Sequence, residues 1–94
     1  MREREVEAYL TKKLKAIGLD CIKFLPDGCV GMPDRLIILP DRRVLWCELK
    51  TKGGHLSEMQ RYRHHQLEEL GHEVVTVWDI PQADELVERL AGTV

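Results

Sequence analysis

Gly31-Met32-Pro33-Asp34-Arg35-Leu36-Ile37-Ile38-Leu39, then Pro40-Asp41-Arg42-Arg43, then Val44-Leu45-Trp46-Cys47-Glu48-Leu49-Lys50, is the stretch on which the fold turns. Two apolar runs flank a polar turn, which predicts a β-hairpin. Asp34 opens the first strand. Glu48 and Lys50 stand near the end of the second, two residues apart and so on one face. Two carboxylates and an ammonium therefore gather at one end of a hairpin that is otherwise apolar. Charges so placed are costly unless paired or bound to a metal, and a conflict of that kind marks a candidate functional site. Both runs are apolar on both faces, as in central strands covered by helices.

Before the hairpin, Val6, Leu10, Leu14 and Ile17 fall at helical spacing and Gly18 is a stop signal, so residues 3–17 read as a helix. Glu3, Glu5 and Glu7 suit its positive N-terminal end. Read by itself, Glu7 is a solvated, dipole-complementing glutamate. Cys21-Ile22-Lys23-Phe24-Leu25 is a short outer strand, and Pro26 to Pro33 a loop beside the site. After the hairpin, Leu56 to Leu70 is a helix with Leu56, Met59, Gln60, Arg63, Leu67 and Leu70 on one side, stopped by Gly71. Glu73 to Trp78 is a further strand. Pro81 opens a last helix carrying Ala83, Leu86, Val87 and Leu90. The order is α-β-β-β-α-β-α: an antiparallel meander of three strands, then a helix crossing over to the fourth. We expect one α/β domain over residues 1–94.

Composition agrees. The 94 residues, 44% hydrophobic and 32% charged, are those of a globular domain burying roughly 60–65% of its unfolded surface. No apolar run approaches a membrane span, and Met1-Arg2-Glu3-Arg4-Glu5 is unlike a signal peptide. Cys21, Cys29 and Cys47 form no CxxC pair, which favours a reduced, cytoplasmic setting and disfavours zinc. The net charge of −2 hides an asymmetry: eleven Lys/Arg against eight Asp/Glu in residues 1–52, three against eight in residues 53–94. The basic half holds the hairpin, where a polyanion would approach. Lys23, Arg35, Arg42, Arg43 and Lys52 are candidate phosphate contacts, and so is His64, one turn beyond Gln60.

Carboxylates on adjacent strands, about 4.8 Å apart, converge on one hard cation. Two carboxylates, a backbone carbonyl and waters suit Mg²⁺ or Mn²⁺, which activates water and offsets charge on a phosphoryl transition state. Lys50 beside it would position the water or stabilise the anion. Register is the difficulty. A tight turn centred on Asp41-Arg42 places Asp34 opposite Leu49, out of phase with Glu48, and a bulge, an odd-length loop or a bend is needed to align them. Gln60 has two readings of equal weight, as the return partner in a Ser57-Glu58-Met59-Gln60 capping box or as an amide turned into the site.

Pro33-Asp34, thirteen residues, then Glu48-Leu49-Lys50 reproduces the loose PD-(D/E)xK nuclease signature. More specifically, Gly31-Met32-Pro33-Asp34-Arg35, Trp46-Cys47-Glu48-Leu49-Lys50, Gly54, Leu56, Gln60, His64, Leu67 and Gly71 resemble the VRR-NUC (virus-type replication-repair nuclease) family. Val6-Glu7-Ala8-Tyr9-Leu10 and Lys23-Phe24 extend the likeness over nearly the whole chain, and no core motif position departs from it. The resemblance is to small stand-alone members of phages and bacteria. It implies a restriction-endonuclease-like αβββαβ core with a C-terminal helix, and a divalent metal held by Asp34, Glu48 and the Leu49 carbonyl. It further implies Lys50 as catalytic lysine, Glu7 as an additional acidic residue and Gln60 as a site residue. Similarity to Holliday-junction resolvases implies a homodimer acting on branched DNA. A catalytically idle DNA-binding or structural module on the same fold is the alternative. A sequence-specific restriction-type endonuclease is a third reading, disfavoured because 94 residues leave no room for a recognition module.

Overall fold

The structure, a computed structural model, describes residues 2–51 and 53–94. Its elements run α1 (Glu3–Ala16), β1 (Cys21–Lys23), β2 (Arg35–Ile38), β3 (Val44–Leu49), α2 (Glu58–Glu69), β4 (Glu73–Val77) and α3 (Ile80–Ala91). This is the expected order. The strands form one sheet in the order β1-β2-β3-β4, with β1-β2 and β2-β3 antiparallel and β3-β4 parallel. A parallel pair needs a long crossover, and α2 supplies it.

The main core lies between the sheet and the pair α1 and α3. The four-residue spacing of Val6, Leu10 and Leu14 lays them along one side of α1, where they meet Ala83, Leu86 and Leu90 of α3. The sheet contributes Ile37, Leu45, Cys47, Leu49 and Val77 to the same cluster. Gly18, at φ +87°, ends α1: its N–H donates to Lys15 O, and the Leu19 N–H reaches back to Leu14 O at 3.0 Å. Alternation along β3 then sends Trp46 and Glu48 to the opposite face from Leu45, Cys47 and Leu49. On that face lies α2, with His64 and Leu67 buried.

Four local expectations change. Strand β1 stops at Lys23, although the Phe24 N–H still donates to Asp34 O at 2.7 Å and the Phe24 ring lies edge-on to Trp46 (5.3 Å between centroids), while Leu25 is 75% exposed. Pro81 is the second residue of α3, not the first, and Asp79 caps the helix by accepting from the Gln82 N–H. The inward stripe of α2 is Gln60, His64 and Leu67, whereas Met59 and Leu70 are exposed.

The register is the fourth change. Asp41 and Arg42, at φ 61° and 62°, form a tight left-handed turn closed by the Arg43 N–H on Pro40 O. One step further on, the Leu39 N–H donates to Arg43 O, so three residues bridge the strands. The ladder runs Ile38–Val44, Ile37–Leu45, Leu36–Trp46, Arg35–Cys47. Carried one step further, the same register would set Asp34, just ahead of β2, against Glu48, and Asp34 Oδ2 accepts the Leu49 N–H at 3.2 Å. The odd bridge removes the phase problem.

Candidate active site

Three elements build the site: the start of β2, the end of β3 and the first two turns of α2. Pro33 limits the backbone ahead of Asp34 to extended shapes and is itself buried. Gly31 brings that loop onto α2. At φ +90° it lies so close that a Cβ there would sit 2.5 Å from the Met59 carbonyl oxygen. The Arg63 guanidinium fastens the same loop by donating from Nε to Val30 O at 3.0 Å.

Glu48 is the centre, and only 1% of it is exposed. Its side chain meets that of Asp34, whose Oδ2 also accepts the Leu49 N–H at 3.2 Å. Burial first, then the hydrogen bond to Asp34 and its charge, push the Glu48 pKa from 4.5 up to about 9, against an opposing pull from Lys50. From α2, Gln60 Nε2 stands 3.4 Å from Glu48 Oε2 and His64 Nε2 stands 3.6 Å from Oε1. Glu48 Oε1 and His64 Nε2 are buried without a hydrogen-bond partner. Burial lowers the His64 pKa and so favours the neutral ring.

Gln60 resolves its two readings by serving both. Its Oε1 accepts the Ser57 N–H at 2.8 Å and its backbone N–H donates to Ser57 Oγ, completing the capping box. The Nε2 end remains for Glu48. An amide has one end of each kind.

The other candidates divide. Lys50 directly follows β3, half-buried, with its N–H on Val77 O. Glu7 accepts from Arg35 Nε at 3.1 Å, and Arg35 Nη1 donates to Cys21 O, so Arg35 is tied down rather than free for a phosphate. Glu7 nonetheless lines a cleft of about 310 Å³ with Asp34, Lys23, Glu3, Arg4 and Leu25. His64, expected as a phosphate contact, is buried against Glu48. Arg42 and Arg43 lie at the turn, the far end of the hairpin from Asp34. Lys52 lies outside the described residues. Sequence reasoning missed the meeting of His64 with Glu48. Its signal was the four-residue step from Gln60, which puts both on one side of a helix.

Chemically, two carboxyls in contact on a buried strand end are poised for a cation. Ionised together they repel, and a divalent ion offsets that charge. Among the described residues no group of three His, Cys, Asp or Glu is arranged to hold a metal. The donor set is a carboxylate pair beside a strand backbone, which suits a hard ion that keeps water ligands. The cleft lining, three carboxylates to two cations, would repel a phosphate unless such an ion were present.

No family model matches the chain. A protein described as "Putative nuclease p44", from Acyrthosiphon pisum secondary endosymbiont phage 1, is 34% identical over 77 residues, covering 82% of this chain and 83% of the relative. A solved structure described as "VRR_NUC domain" superposes with a TM-score of 0.84 at 29% identity, covering 92% of this chain and 94% of that one.

Proposed function

The chain belongs to the VRR-NUC family of nucleases, and from that premise we propose a DNA endonuclease dependent on Mg²⁺ or Mn²⁺ and selective for branched or Holliday-junction DNA. The observation that carries the reading is the contact of the Asp34 side chain with a buried Glu48 whose Oε1 has no partner. Asp34, Glu48 and the Leu49 carbonyl would hold the ion. When bound, it supplies an activated water and offsets charge on the phosphoryl group.

The chain's own residues do the rest. Lys50, on the residue after β3, places an ammonium beside Glu48 where anionic charge develops in hydrolysis. Gln60 holds Glu48 Oε2 from α2. Glu7 keeps Arg35 against α1, and Lys23 meets the phosphate backbone at the cleft mouth. Residues 1–94 act as one nuclease unit. It works in the cytoplasm, where Cys21, Cys29 and Cys47 remain free thiols. No helix among the described residues is long and apolar enough to cross a membrane.

Cutting a junction requires two symmetric incisions, and a twofold homodimer supplies two sites so related. Ile22 and Ile38, 50% and 40% exposed on β1 and β2, offer apolar surface for a second copy, with more than about 1,000 Å² expected to be buried. The test is a cation titration on labelled junctions, flaps and duplexes. Cutting in Mg²⁺ or Mn²⁺ but not in chelator supports the reading; full activity in chelator removes the metal. Binding without cutting makes the chain a DNA-binding module. Sedimentation as a 10.9 kDa monomer with undiminished junction cleavage removes the dimer.

A further inference from the structure

The Glu48 carboxyl is shared between two side chains of α2. Gln60 faces Oε2 and His64, one turn on, faces Oε1. His64 is 8% exposed, and the two atoms that face each other, Nε2 and Oε1, are both buried and otherwise unpartnered. Leaving two polar atoms so placed costs stability, and an apolar side chain beside Leu67 would avoid the cost. At 3.6 Å the pair is a few tenths of an ångström beyond a hydrogen bond. Once an ion holds Glu48 in its ionised form, the imidazole facing Oε1 takes the tautomer with its proton on Nε2. Each carboxylate oxygen has two lone pairs, so a donor on one leaves the other for an ion.

Resting on the reading that Glu48 binds a divalent ion, we propose that His64 is a positioning residue that donates Nε2–H to Glu48 Oε1 and, with Gln60 on Oε2, fixes the rotation of the carboxylate for that ion. A carboxylate held at one oxygen alone still turns about its last bond. Held at both, it presents its free lone pairs in one direction. Partners of this outer kind commonly change metal affinity by about 10–100-fold.

The test measures Mn²⁺ binding to the full chain without DNA, by the paramagnetic signal of free Mn²⁺, in wild type, His64→Phe, His64→Gln and Glu48→Ala. H64F keeps a planar apolar body and loses the donor. Its Mn²⁺ affinity is expected to fall about tenfold or more, with melting in chelator no lower than wild type and cleavage moved to higher Mn²⁺ by the same factor. H64Q, which restores an amide donor, is expected to recover most of the affinity. Should H64F not fold, H64L replaces it in the same comparison. A folded H64F or H64L with wild-type affinity overturns the inference, as does an H64Q no better than its apolar counterpart. If E48A loses Mn²⁺ while the apolar variant keeps it, only the role of His64 falls. If E48A itself binds Mn²⁺ like wild type, the ion site is elsewhere and the proposed function falls with it.

Discussion

Replacing Glu48 with glutamine removes the ionisable group at the centre of the site and keeps its shape. The carboxyl has a folded pKa of about 9 against an ordinary 4.5, because it is buried and lies against Asp34. Below pH 4.5 it is protonated folded and unfolded alike, and its contribution to stability is fully present. Between 4.5 and about 9 the unfolded chain releases the proton while the folded chain holds it, so that contribution is lost progressively as pH rises. At about 1.4 kcal/mol per unit, the loss at pH 7 is roughly 3 kcal/mol. Glutamine has no proton to lose. In metal-free buffer E48Q should therefore melt with the wild type near pH 4.5, and by pH 7 roughly 10 °C or more above it. Thermal unfolding followed by circular dichroism in chelator, at half-unit steps from pH 4.5 to 9, reads the effect as a difference, so titrating groups away from the site cancel. Adding Mn²⁺ at pH 7 should then raise the wild type and leave E48Q in place. A melting difference that stays constant from pH 5 to 8 would refute the reasoning, for it would mean that Glu48 ionises in the folded chain as freely as in the unfolded one.

Lys50→Ala is expected to bind DNA and metal but lose most of its turnover in single-turnover cleavage; a near wild-type rate would leave Lys50 as a structural partner of Glu48. Asp34→Asn retains an acceptor for the Leu49 N–H, now made at 3.2 Å, so a native circular dichroism spectrum with cleavage lost is expected, and retained cleavage would remove Asp34 from the ion site. Gly31→Ala meets both a φ of +90° and the Met59 carbonyl, and urea unfolding should show a loss of about 1–3 kcal/mol. A midpoint within error of wild type would mean that the loop moves away from α2 at no cost.

The hairpin was legible because Leu36 to Leu39 and Val44 to Cys47 are apolar at every position, as in strands covered on both faces. Helix α1 was legible because Val6, Leu10 and Leu14 keep a strict four-residue step. The phase between Asp34 and Glu48 was not, since it depends on left-handed backbone at Asp41 and Arg42. Aspartate tolerates that conformation, but arginine gives no sign of it. Nor was the inward face of α2. Hydropathy points to Met59 and Leu70, yet the helix turns Gln60 and His64 inward, where a buried glutamate needs polar neighbours. Arg35 looked like a free cation for phosphate because its partner, Glu7, is twenty-eight residues away in the chain.

The three-residue bridge between Leu39 and Arg43 has a consequence for which kinds of genetic change this protein can absorb. Surface loops ordinarily accept insertions and deletions more readily than any other part of a fold. Here the bridge works as a ruler, read about 17 Å away after five strand steps of roughly 3.3 Å each. Replacing Asp41 or Arg42 by a residue that tolerates the left-handed backbone leaves the ruler's length unchanged. Where the ladder re-forms around the same three-residue bridge, adding or deleting one residue shifts β3 by one place against β2 and brings Cys47 or Leu49, not Glu48, opposite Asp34. Codon-length changes in this exposed turn that slip the register should therefore be as disabling as loss of a carboxylate, while point substitutions that keep the left-handed backbone pass.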